Sequence, residues 1–400
     1  MTSNIQMIVF FNQIIDGSGL LSGGERITLE LLRRLKKSSR ITVVLPQNCL
    51  AFIKDREKLD VVFSPLSFTL FPDDARCWKH IALIPLVWAV RACESIIRIS
   101  LGALKDDVVF SSGDFFCNTI PAWFFKLKYP DSKAIFYIFH IIDCPGKRKG
   151  GHSFLANLFS FLAQKLSFLL IKSCRGEIFV LNDGVKQELL KKGFSGNTIH
   201  VNGAGINFKE IAETSCRGLN DFGLCFMARL SPTKGIFDLV EILRELNNPA
   251  PAKKSNLLII GEGLAKDVEK MKELFLRYSL QTQVEFAGLK TGAAKYALMK
   301  SSRVFVFPSS EEGYAISILE ALACGLAVVA WDLPVYRHVY GDRIVRVPMG
   351  RTDIFADRVR ELLSNDKARE DLSRAGIAFA RENDWDVIAS QMATGIDSIK

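Results

Sequence analysis

Two glutamates eight positions apart, Glu312 and Glu320, stand in the run Pro308-Ser-Ser-Glu-Glu-Gly-Tyr-Ala-Ile-Ser-Ile-Leu-Glu320. Val304 to Phe307 reads as a buried strand that runs into a polar turn. The turn opens a helix whose first turn would contain the Gly313 to Ser317 backbone amides. Such a helix start offers unpaired N–H groups and a positive dipole end, which suit an anionic group such as a diphosphate. Glu312 would stand at the mouth of this site, and Glu320, two turns on, would lie on nearly the same helix face. Carboxylates accept hydrogen bonds from hydroxyls, so two of them beside a phosphate-binding helix end point to a sugar nucleotide. Glu311 is expected in solvent.

Cations supply the complementary chemistry. Arg229 and Lys234 follow the strand Gly223 to Met227, where a phosphate site belongs in an α/β sheet; the plainer reading is a pair of surface charges on a loop. His140 ends the strand-like run Phe136-Tyr-Ile-Phe-His, a position that is more often structural than functional when the histidine stands alone. Gly23 and Gly24 open the first helix after a loop that includes Gly19 and runs through Asp16 to Ser22. Their lack of side chains permits close approach of phosphate or an acceptor hydroxyl. No D-x-D metal motif stands at a strand end, since Asp73-Asp74 and Asp106-Asp107 read as turn residues. Cations and helix ends can replace a metal as the counter-charge, so no metal and no resident cofactor is expected.

Short apolar runs alternate with helical patterns throughout. Met7–Phe11, Ile41–Leu45, Val108–Ser111, Ala134–Phe139 and Glu177–Leu181 read as strands in the first half. Gly223–Met227, Leu257–Gly261, Gln283–Phe286, Val304–Phe307 and Ala327–Trp331 do so in the second. The fold class is therefore α/β, with two doubly wound parallel-sheet domains and ligands expected at the carboxyl ends of the strands, in the cleft between the halves. At 400 residues two domains are the natural division. The reading places them at 1–203 and 204–384, with a last helix from 385.

The hydrophobic fraction of 48% excludes global disorder. Nine cysteines without a C-x-x-C pair suit a reducing cytosol better than a disulfide framework or a zinc site. No secretory signal is read at the start, and Ile81 to Val90 is too short to span a bilayer, so a cytoplasmic location is expected. The net charge of +9 resides in residues 1–200, which hold 26 Lys+Arg against 17 Asp+Glu, whereas residues 201–400 hold 26 against 26. A solvated basic surface and attraction to an anionic membrane or lipid-phosphate acceptor are the two readings; nucleic acid is not expected, because no recognition motif accompanies the charge. Ser153 to Leu170 forms an amphipathic helix with a wide apolar face. It reads either as a core helix or, behind Lys147-Arg-Lys149, as an interfacial element. Trp78 to Leu104, with Arg76 ahead of it, invites the same two readings.

The Glu312–Glu320 stretch resembles the E-x7-E signature of retaining glycosyltransferases of family 4, which have the GT-B fold. Phe226-Met-Ala-Arg229-Leu-Ser-Pro-Thr-Lys234-Gly235 is similar to the family's G-R-L-x-x-x-K-G segment, with Ala228 where glycine is usual. Leu257-Leu-Ile-Ile-Gly-Glu-Gly263, Val284-Glu-Phe-Ala-Gly288 and Ala321-Leu-Ala-Cys-Gly325 match further blocks, and Val201 to Ile206 resembles the segment that closes the first domain. The resemblance implies that Arg229 and Lys234 meet the diphosphate together with the amides of Gly313, Ala315, Ile316 and Ser317. It implies that Glu320 holds the ribose, Glu312 and His140 face the donor sugar, and Phe286 and Gly288 border the base. The last helix would return to the first domain. The implied activity is transfer of a hexose from a UDP- or GDP-linked donor to a glycan or lipid-linked acceptor. A GT-B epimerase or phosphorylase and a non-catalytic partner subunit are the alternatives.

Overall fold

The computed structural model describes residues 5–13, 21–68, 78–146, 154–216, 222–248 and 255–399. Gly19 and most of the Asp16–Ser22 loop, Asp73-Asp74, Arg76, Lys147–Lys149 and Ser153 lie outside the described residues. The chain divides into two units, one built from residues up to Gly203 with the terminal helix Trp385–Ser398, the other from Ala204 to Asp384.

In the first unit the strands are β1 (Ile5–Phe10), β2 (Ser39–Pro46), β3 (Val62–Leu66), β4 (Val108–Ser111), β5 (Lys133–Ile138), β6 (Glu177–Val180) and β7 (Ile199–Val201). They pair in the order β3-β2-β1-β4-β5-β6-β7, all parallel. In the second unit β8 (Phe222–Met227), β9 (Leu257–Ile260), β10 (Val284–Gly288), β11 (Ser302–Phe307), β12 (Ala327–Trp331) and β13 (Val345–Val347) pair in the order β10-β9-β8-β11-β12-β13, again all parallel. Helices connect successive strands, as parallel pairing requires. Each sheet is doubly wound, with its order reversing beside β1 and β4 in one unit and beside β8 and β11 in the other.

The central strands are buried on both faces. Leu257 to Ile260 and Val304 to Phe307 are almost wholly buried, and each such side chain contributes about 1.5–3 kcal/mol. β3, β7 and β13 were not expected from sequence. All three are sheet edges with mixed composition, and β3 carries Pro65, whose missing N–H an edge tolerates.

The helix Phe154–Ser173 sets Phe168 and Ile171 into the core and leaves another apolar face outside it. Its polar Asn157, Gln164 and Ser167 are buried, while Leu155, Leu162 and Leu169 are 75%, 54% and 67% exposed. It is the one helix among the described residues long and apolar enough to cross a membrane. Nevertheless, Gln164 ties it to the sheet: its Nε2 donates to Asp114 Oδ2 and His140 O, and its Oε1 accepts from Ile142 N at 2.8 Å. The terminal helix Trp385–Ser398 packs on the helix Gly23–Leu35, with Arg34 Nε bonded to Asp386 Oδ1 at 2.9 Å.

Backbone packing at the carboxyl ends of β8 and β9 leaves no room for side chains. Gly261 has φ +141°, and a Cβ there would stand 1.9 Å from the Ala228 carbonyl oxygen. Gly261→Ala should therefore lower unfolding free energy by at least about 2 kcal/mol in urea titrations, through backbone strain and displacement of this loop.

Candidate functional site

The loops that leave β8 and β11 meet where the order of the second sheet reverses. After β8 the chain forms a short turn, Pro232–Lys234, and Gly235 (φ +74°) starts the helix Ile236–Leu246. A Cβ on Gly235 would lie 1.8 Å from the Pro308 carbonyl oxygen, so the two loops touch through backbone. Ser310 N donates to Thr233 O at 2.9 Å, and the hydroxyl oxygen of buried Ser309 lies 3.2 Å from the same carbonyl oxygen.

These contacts bring Lys234 to Glu312. The ammonium and carboxylate form an ion pair at 2.5 Å, and Ser309 Oγ donates to the same carboxylate oxygen at 2.8 Å. The Glu312 side chain is only 9% exposed, so the pair lies in a poorly hydrated setting. Arg229, by contrast, is exposed and makes no ion pair among the described residues. Glu311 is half-buried rather than fully in solvent.

The expected helix starts later than the sequence suggested. Gly313 to Ala315 are not helical; the helix is Ile316–Ala323, and Ala315 is its N-cap in the left-handed region (φ +67°, ψ +65°) with no side-chain cap. Glu312 thus lies in the preceding loop and not on the Glu320 face. Glu320 has separate partners, with Lys295 Nζ at 2.6 Å and Tyr296 Oη donating at 3.1 Å, both from the helix Gly292–Met299. Burial and then the Glu320 charge raise the Tyr296 pKa, and the same two causes push Cys324 up to about 12. Both groups therefore stay protonated beside the carboxylate.

Three partners escaped sequence reasoning: Ser309, Lys295 and Tyr296. Lys295 and Tyr296 reach Glu320 across 25 and 24 positions, which no local spacing encodes, whereas Ser309 stands three residues before Glu312. Tyr336 is a fourth omission. It is fully buried, its hydroxyl has no hydrogen-bond partner among the described residues, and burial followed by the Glu312 charge raises its pKa well above normal. Phe286 packs edge-on against Phe275 and beneath Lys272, on the helix Ala265–Arg277, which joins it to neither carboxylate. Gly288 ends β10 after a register shift and is half-buried.

In the first unit His140 is exposed, and the Gln164 bond to its carbonyl fixes its backbone. Burial raises the Asp114 pKa, an effect opposed by the nearby His140 and the Gln164 bond. Gly23 is open to space, but Gly24 packs against Phe139, whose ring a Cβ would approach to 2.8 Å. Ser22 and Glu25 cap that helix reciprocally. Two of its terminal amides are therefore already occupied, and the glycine at 24 serves aromatic packing.

Removing one member of the Lys234–Glu312 pair strands a poorly hydrated charge. Lys234→Met should cost about 1–3 kcal/mol in denaturant titrations, and adding Glu312→Gln should recover part of that loss in a double-mutant cycle.

Residues 208–379 match the family glycosyl transferases group 1. Over 139 residues the chain is 37% identical to a phosphatidyl-myo-inositol mannosyltransferase of Mycobacterium leprae, covering 34% of this chain and 36% of that protein. Over 168 residues it is 34% identical to the protein of the same description from Mycobacterium tuberculosis, covering 40% and 43%. The chain thus spans less than half the length of these curated relatives. The crystal structure of Anabaena HepE in complex with UDP and glucose aligns over 99% of this chain and 100% of that one, with TM-score 0.73 and 16% identity. Its likeness extends to the whole fold, which is GT-B. The signature residues around β8 and β11 thus lie within a region, residues 208–379, that is similar to the glycosyl transferases group 1 family.

Proposed function

We propose that this protein is a retaining, metal-independent hexosyltransferase that uses a UDP- or GDP-sugar and a glycan or lipid-linked acceptor, in glycan or cell-envelope synthesis at the cytoplasmic membrane face. The observation that carries this reading is the meeting of Lys234, Glu312 and an uncapped helix start at the β8/β11 reversal. HepE is described with UDP and glucose, and the mycobacterial relatives by a lipid inositol acceptor, which favours a UDP-sugar and an acceptor of that chemical kind.

In this reading Lys234 and Arg229 neutralise the diphosphate, assisted by the amides of Ala315, Ile316 and Ser317. The bond from the sugar's anomeric carbon to the diphosphate oxygen breaks. The acceptor oxygen bonds to that carbon on the same face, and its proton passes to the departing phosphate oxygen. Glu312 orients sugar hydroxyls and Glu320 the ribose. The first unit serves the acceptor, with Gly23 and Gly24 assigned to its acceptor or diphosphate loop, and His140 faces the donor sugar. The positive groups named here supply the counter-charge that a metal would otherwise bring.

The membrane reading rests on the exposed apolar face of the helix Phe154–Ser173. Exposed leucines stand seven, four and three apart at 155, 162, 166 and 169, a single stripe on the helix. The helix contains Lys165 and Lys172 and no acidic residue, and the neighbouring helix Phe116–Lys128 adds Lys126 and Lys128, likewise without an acid. Apolar side chains with flanking cations suit an anionic bilayer surface.

Thermal melts with UDP, GDP and their sugars, in EDTA, test the donor site. A ligand at one hundred times its dissociation constant should stabilise the protein by about 2.7 kcal/mol, and Lys234→Ala should lose that shift. Absence of any shift in the wild type would count against the donor reading. Separately, the protein should sediment with phosphatidylglycerol vesicles and not with phosphatidylcholine vesicles at physiological salt. Leu162→Glu with Leu169→Glu should release it, and unchanged sedimentation of that variant would exclude the helix as the docking face.

A further inference from the structure

Ala315 holds a backbone conformation that disfavours any side chain, at the residue that starts the helix Ile316–Ala323. A non-glycine residue persists there only when its surroundings enforce it. Against this turn lies Tyr340, which follows the helix Pro334–Val339 and is fully buried. Its hydroxyl lies 3.0 Å from the Tyr314 carbonyl oxygen and 2.8 Å from that of Ala315. Burial raises its pKa well above normal, so the phenol remains protonated and able to donate.

A trans peptide is planar, with its C=O and N–H pointing in opposite directions. Holding the Tyr314 oxygen therefore sets the direction of the Ala315 N–H, and holding the Ala315 oxygen sets that of the Ile316 N–H. Both amides are turned away from the buried tyrosine. Edge contacts with Tyr314, Tyr336 and Phe379 fix the ring itself, so the hydroxyl is a rigid anchor.

We propose that Tyr340 is a positioning residue for diphosphate binding, acting through the strained peptide at Ala315 to aim the Ala315 and Ile316 amides at the anion. The inference rests on the reading of this helix start as the donor diphosphate site. Tyr340 has no contact with ligand in this scheme; its effect passes entirely through the two carbonyls.

The test measures melting temperature and the dissociation constant of UDP and GDP by calorimetry in the wild type, Tyr340→Phe, Ala315→Gly and the double variant. Tyr340→Phe keeps the ring and removes the hydroxyl, and should weaken binding by about tenfold, the effect of losing the one hydrogen bond shared between the two carbonyls. Ala315→Gly should raise the melting temperature, because glycine adopts this conformation without strain. In the Tyr340→Phe background it should restore most of the lost affinity. A Tyr340→Phe protein that melts lower and binds the nucleotide as tightly as wild type would reduce Tyr340 to a structural role and overturn the proposal alone. A wild type that binds neither nucleotide would overturn the donor-site reading as well.

Discussion

In the second unit everything at the site depends on one backbone contact, the approach of Gly235 to the Pro308 carbonyl. A parallel sheet whose order reverses between β8 and β11 sends the helices after these strands in opposite directions, which leaves a crevice above the reversal. Charged groups from two such loops meet only if the loops are held together across that crevice. Gly235 allows this because it has no Cβ, and the Thr233 carbonyl then accepts from the Ser310 backbone amide. The Lys234–Glu312 pair is the result of that packing, with Ser309 donating to the same carboxylate oxygen.

The same economy of support appears around each polar group. Glu320 is held by an ammonium and a phenol from one helix, and the Ala315 turn by a phenol from another. Buried polar atoms stay in place when their bonds are satisfied, so the geometry is set before any ligand arrives. Gln164 plays a comparable part in the first unit, joining Asp114 to the backbone on either side of Ile141.

Sequence periodicity revealed the strands that are buried on both faces, because these must be continuously apolar. It missed β3, β7 and β13, where one side of the strand meets solvent and the pattern becomes mixed. Motif spacing singled out Lys234, Glu312 and Glu320, yet it misplaced Glu312 on a helix. The strained Ala315 delays the helix start, and alanine carries no sequence mark of left-handed backbone. Lys295, Tyr296 and Tyr340 were invisible because their partners are distant in sequence. The orientation of Phe154–Ser173 was equally hidden: apolar residues surround most of the helix, and the Gln164 bonds with the burial of Phe168 and Ile171 set which face points inward.

The Lys234–Glu312 pair has a consequence for selectivity. Before ligand arrives, the ammonium is already neutralised by one unit of negative charge held at contact distance. An incoming anion must exchange with that carboxylate, and a singly charged anion gains little from a swap of like for like. A doubly charged group gains roughly twice the attraction at the same separation, since Coulomb energy scales with the product of the charges. The resting ion pair is thus a threshold that sorts anions by valence before their shape is read.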